Sequence, residues 1–121
     1  MAIQLAHTQP TFIHPATHGV GQGDDAGSLP PMGLRLRLKS DVSLDKGAYS
    51  TPETAATLTA MRQYGVIVSG FGTDWSFFTA QDPRWETDAG ASLLDSIASD
   101  FSGYITGDNF EAVYTGDPLP M

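Results

Sequence analysis

The chain reads as an α+β domain built on a mostly antiparallel sheet with two short helices, and three observations lead there. Residues 34–44 alternate: Leu34, Leu36, Leu38, Val42 and Leu44 share one parity, with Ser40 its only polar member, while Arg35, Arg37, Lys39, Asp41, Ser43 and, just beyond, Asp45 take the other. Such a period of two gives a strand with one buried and one wet face. Helical spacing replaces it at Ala55, Leu58, Met61 and Tyr64. Finally, the elements follow one another as two short strands, a long strand, a helix, two strands, a helix and a strand, an order typical of α+β proteins.

In chain order, Ile3 and Leu5 flank Gln4, and Thr11-Phe12-Ile13 forms a second apolar run. Pro10 and Pro15 confine both to short edge strands. Gly19 to Pro31 holds Gly19, Gly21, Gly23, Gly27, Pro30 and Pro31, the chemistry of a surface loop. A one-residue slip of the strand at 34–44 would bury three cations, so its register is strongly specified. Ser50-Thr51-Pro52-Glu53 carries a hydroxyl cap, a first-turn proline and a glutamate three residues after Ser50. Gly65 is placed to end that helix in a left-handed conformation. Val66-Ile67-Val68 and Trp75–Thr79 then read as strands joined in a hairpin by Gly70–Asp74. Asp82-Pro83-Arg84-Trp85 reads as a turn. Asp88 caps a short helix with Leu93, Leu94, Ile97 and Ala98 on its apolar side, and Phe110–Tyr114 closes the set as a strand. A single domain thus spans 1–121: an irregular stretch over 1–33, the core over 34–115 and an irregular tail over 116–121.

Composition narrows function by exclusion. Six cations against 14 carboxylates give a net charge of −8, a field that repels nucleic-acid phosphates and anionic lipid. The absence of cysteine removes disulfide frameworks, thiolate zinc sites and cysteine nucleophiles. No apolar run reaches the roughly 18 residues of a membrane span, and no basic-plus-apolar leader opens the chain. Phosphate-binding glycine loops, His-Glu-x-x-His and Gly-x-Ser-x-Gly are missing from the sequence.

Three constellations remain. Asp74, Asp82, Glu86 and Asp88 flank Trp75 and Trp85; indole faces stack on sugar rings while paired carboxylates supply acid and base, so Asp74, Asp82 and Glu86 are the catalytic candidates of a carbohydrate-active hydrolase. The alternative is solvated turn caps and core tryptophans. Arg35, Arg37 and Lys39 point one way from their strand and suit a carboxylated or sulfated ligand, or else pair with neighbouring carboxylates. His7, His14 and His18, with Asp24 and Asp25 behind them, are a ligand set for a divalent metal such as zinc or copper, although their spacing matches no metal motif. Pro15 argues against one helix presenting His14 and His18 together. Asp24-Asp25 and Asp108-Asn109 lack calcium-loop spacing.

Leu29-Pro30-Pro31-Met32-Gly33, Arg35-Leu36-Arg37-Leu38-Lys39, Tyr64-Gly65, Asp82-Pro83-Arg84-Trp85 and the residues Asp108, Phe110, Glu111 and Val113 occur here in that order. With Ala2-Ile3 and Pro15–His18 upstream, this string resembles the C-terminal part of a family of exported bacterial proteins of uncharacterised function. The resemblance covers most of the chain and implies an extracellular or periplasmic origin. It also implies that relatives carry a further domain-sized segment upstream, so that this chain is a short or truncated version. It supplies no catalytic assignment to transfer. Where relatives have a short Ala-Asp-Asn-Gly-Ser turn, this chain has Ser69–Asp74, which removes any role for an asparagine there.

A chain lacking such a segment exposes apolar surface, and leaving several hundred Å2 wet at about 25 cal/mol per Å2 is large against a net stability of about 5–15 kcal/mol. A twofold homodimer is therefore expected. Of the three functions, a non-catalytic binding module, directed at a saccharide or an acidic ligand, asks least of the sequence; the hydrolase and the histidine metalloprotein are its alternatives.

Overall fold

The computed structural model describes residues 1–20 and 29–120, so the glycine-rich part of the 19–31 loop, with Asp24 and Asp25, lies outside the described residues. The architecture is α+β. Its strands are β1 (Ala2–Leu5), β2 (Thr11–Phe12), β3 (Arg35–Leu38), β4 (Val66–Phe71), β5 (Ser76–Phe78), β6 (Phe110–Val113) and β7 (Leu119–Pro120), with helices α1 (Pro52–Gln63) and α2 (Asp88–Tyr104). Five strands make a mixed sheet in the order β5-β1-β4-β3-β6; β2 and β7 form a separate pair. The chain divides into two compact units, Met1–Leu36 with Gly65–Thr79 and Ala112–Met121, and Arg37–Tyr64 with Ala80–Glu111.

In the first unit β1 runs parallel to β4 and antiparallel to β5, and β4 pairs antiparallel with the start of β3. Ile3, Val66 and Val68 are fully buried, with Leu5, Ile13 and Met32 nearly so. The expected hairpin of β4 and β5 is replaced by a different path, because β1 lies between them. Two bonds between residues distant in sequence set that path. Gly72 N–H donates to the Leu5 carbonyl (3.0 Å) and Ala6 N–H to the Asp74 carboxylate (3.0 Å). These bonds tie the turn to the end of β1, while Trp75 at φ 55° redirects the chain along the far side of that strand. Gly33 takes φ +82°; its N–H donates to the Val68 carbonyl (2.7 Å), and a Cβ there would lie 1.8 Å from the Ile13 carbonyl oxygen. Gly65, at φ +77°, follows α1 as expected. The tail is less irregular than expected, since Leu119 and Pro120 pair with Phe12 and Thr11.

The second unit buries Leu38, Ala55, Leu58, Met61, Phe101, Ile105 and Phe110. Thr51 caps α1 by accepting the Thr54 N–H, and Thr54, Ala55, Leu58 and Met61 face inward, whereas Tyr64 is exposed. The long strand expected over 34–44 ends at Leu38. Lys39 N–H still donates to the Asn109 carbonyl (2.8 Å), but Val42 N–H then turns back onto the Lys39 carbonyl (3.3 Å). From the last turn of α1 the Arg62 guanidinium donates to the carbonyls of Lys39 (2.6 Å) and Val42. Those acceptors are satisfied without a neighbouring strand, so the polarity alternation outlasts the extended backbone. Helix α2 is longer than expected at 17 residues, and its cap is Thr87 rather than Asp88: Thr87 Oγ1 accepts the Gly90 N–H at 3.0 Å. Asp88 sits in the first turn, where its charge suits the helix dipole.

Candidate functional site

The described residues of the second unit hold a surface groove of about 460 Å3, lined by Asp82, Arg84, Trp85, Thr87, Ala89, Gly90 and Leu93. A short 3-10 turn over Pro83–Glu86 forms one wall and the first turns of α2 the other. Asp82 caps that turn: its Oδ1 accepts from Arg84 N–H and from Arg84 Nε, both at 2.9 Å, and its Oδ2 accepts from Arg84 Nη2 at 2.6 Å. The result is a planar two-pronged ion pair. The Arg84 side-chain hydrogen bonds, with the backbone one beside them, pull the Asp82 carboxyl down to about 2 and push the guanidinium up. At neutral pH Asp82 is an anion with both oxygens engaged, a hydrogen-bond acceptor and not a proton donor.

The close approach of turn and helix rests on Gly90. A Cβ there would lie 1.9 Å from the Arg84 carbonyl oxygen and 2.9 Å from Trp85 Cα. Thr87 completes the corner by donating to that same carbonyl (2.9 Å). Trp85 is left half-buried. The groove therefore offers an indole beside the small apolar surfaces of Ala89 and Leu93, with a charge-paired donor–acceptor fork along one side.

The remaining sequence-selected residues are placed as follows. Asp82 and Trp85 meet in the groove, while Glu86 is exposed and is not part of its lining. Asp74 and Trp75 belong to the first unit, where Asp74 holds the Ala6 N–H and Trp75 stacks edge-to-face on Phe77 at 5.1 Å. Of the three cations, Arg35 and Arg37 lie on β3 and Lys39 beyond its end. Arg37 Nε and Nη2 both donate to Glu111 Oε1 (3.0 and 2.8 Å). Arg35 runs its side chain past Gly65, where a Cβ would meet its Cγ at 3.1 Å. His7, His14 and His18 are exposed; His14 packs edge-on to Phe12 and His18 Nδ1 lies 3.3 Å from Thr17 Oγ1. Among the described residues no three histidine, aspartate or glutamate side chains converge to hold a metal. Asn109 is committed locally, its Oδ1 accepting the Thr106 N–H at 2.7 Å. No helix among the described residues is long and apolar enough to cross a membrane.

One buried carboxylate escapes the sequence reading. Asp100, only 6% exposed, accepts from Ser50 N–H (3.2 Å), Ser50 Oγ (2.8 Å) and Thr54 Oγ1 (2.6 Å). The Thr54 hydroxyl leads the interactions that hold its carboxyl below the usual range, against the opposing effect of burial. A signal existed: Asp100 follows Leu93 and Ile97 at helical spacing, on the apolar side of α2. Its partners are all neutral hydroxyl and amide groups around the start of α1, so its role is structural.

Comparison with known proteins returned no matching family model, no matching curated protein and no matching solved structure.

Proposed function

We propose that the chain is a non-catalytic binding module of an exported bacterial protein and that it holds a saccharide in the Trp85 groove. The observation carrying this is the half-buried indole of Trp85 set beside the Asp82–Arg84 fork in a groove of about 460 Å3. A pyranose has an apolar C–H face that covers an indole and a rim of hydroxyls that both donate and accept, which such a fork can meet. A purely binding role is supported by the Arg84 bonds that occupy both oxygens of Asp82 and by the placement of Glu86 outside the lining. Bacterial export rests on the family resemblance.

Affinity electrophoresis through soluble polysaccharides tests the reading. The wild-type chain is expected to be retarded by at least one of them, and Trp85→Ala to lose about 2 kcal/mol, roughly 30-fold in affinity, as for a buried aromatic anchor. Trp75→Phe should bind unchanged, and the same mixtures should release no reducing ends. Equal retardation of Trp85→Ala and wild type, or turnover, overturns it.

The module is further proposed to self-associate as a homodimer. Phe78 (51% exposed) and Leu119 (39%) in the first unit, and Leu94 (38%) in the second, leave apolar area in water. Light scattering coupled to size exclusion should give about twice the chain mass of 12.9 kDa at micromolar concentration; a monomer refutes association.

A further inference from the structure

We infer that the occupant of the Trp85 groove is an uncharged pyranose chain and not an acidic one; this rests on the saccharide reading above and narrows it. Arg84 is the cation that lines the groove, and it is already bound through Nε and Nη2 to Asp82. The fork is thus neutral as a unit, and a carboxylated or sulfated sugar finds no uncompensated positive charge there. It would instead enter the field of a protein of net charge −8.

The fork suits neutral hydroxyls for the same geometric reason. The Arg84 side chain is 89% exposed, so its Nη1 group and the outer Nη2 hydrogen remain to donate, while the second lone pair of Asp82 Oδ2 remains to accept. A vicinal diol needs both a donor and an acceptor at one spacing, and the fork presents them side by side. The aromatic and aliphatic surfaces of Trp85, Ala89 and Leu93 then face the sugar's C–H side. The cations of the β3 region offer an acidic polymer little more, since Arg37 is engaged by Glu111.

The test uses Trp75→Phe, in which Trp85 is the remaining tryptophan, titrated by fluorescence with cello-, xylo- and chitohexaose and with hexagalacturonate. At least one neutral hexaose should bind at least tenfold more tightly than the acidic one, with affinity changing less than about twofold between roughly 50 and 500 mM NaCl. Arg84→Gln should weaken that binding by about tenfold. If hexagalacturonate binds as tightly as the best neutral sugar, and more weakly in high salt, the neutral specificity is wrong while the saccharide site stands. If no hexaose changes the Trp85 signal up to about 10 mM, the saccharide reading itself fails and this inference with it.

Discussion

Replacing Gly33 by alanine should destabilise the first unit by roughly 3–5 kcal/mol. Two costs combine. At φ +82° an alanine carries strain of about 1–2 kcal/mol. Its Cβ would also stand 1.8 Å from the Ile13 carbonyl oxygen, a backbone atom that cannot rotate away. Relief requires moving the segment that carries both the Gly33 N–H bond to Val68 (2.7 Å) and the Ile13 N–H bond to Met32 (2.7 Å), each worth about 0.5–1.5 kcal/mol. Gly107→Ala is the control, since a Cβ there meets nothing within 4 Å. Urea unfolding, followed through Trp75 in the Trp85→Phe background, should show a midpoint far below wild type for Gly33→Ala and near it for Gly107→Ala. Coincident midpoints would refute the packing described at Gly33.

The second large effect belongs to Asp100. Asp100→Ala leaves the Ser50 amide, the Ser50 hydroxyl and the Thr54 hydroxyl without their shared acceptor at a site 6% exposed. The expected loss is about 2–4 kcal/mol, read from the Trp85 signal in urea. Asp100→Asn should recover only part of it, because its amide NH2 would face donors. Acid dependence carries an independent signature. The Asp100 carboxyl lies below its usual range when folded, whereas the unfolded chain has the ordinary value near 3.9. The unfolded state therefore takes up its proton first as pH falls. This stabilisation is complete above about pH 5 and is lost as pH drops through the folded value. Wild type should lose stability in that window more steeply than Asp100→Asn; parallel profiles would exclude an ionised Asp100 in the folded chain.

The residues that set local conformation were readable as a string. Thr51 and Pro52 start α1, Gly65 follows its end in the left-handed region, and Ile3, Val66 and Val68 mark buried strands, because capping, glycine freedom and β-branching act over a few residues. What the string hides is set by distant partners. Leu34 to Leu44 keeps its alternation after the strand has ended because Arg62, some 20 residues on, satisfies the carbonyls of the turn. Nothing within Gly70–Asp74 announces that β5 will cross β1, since the deciding bonds come from Leu5 and Ala6. That Asp82 and Trp85 would stand close together was legible because they share one turn. That Asp82 would be held as an anion by Arg84 depends on a side-chain rotamer, and that Glu86 would fall outside the groove depends on where α2 packs.

The two units are woven from alternating stretches of chain, three for the first and two for the second. A ribosome, delivering residues in order, cannot complete the first unit until Ala112 onward has emerged, long after β1 and β4 have been made. Its topology is thereby weighted toward late, long-range closure, which slows folding. A cut at any one loop severs stretches that belong together, so neither unit can be excised as a continuous fragment; reassembly from two complementary pieces is the form in which a divided version of this protein would fold.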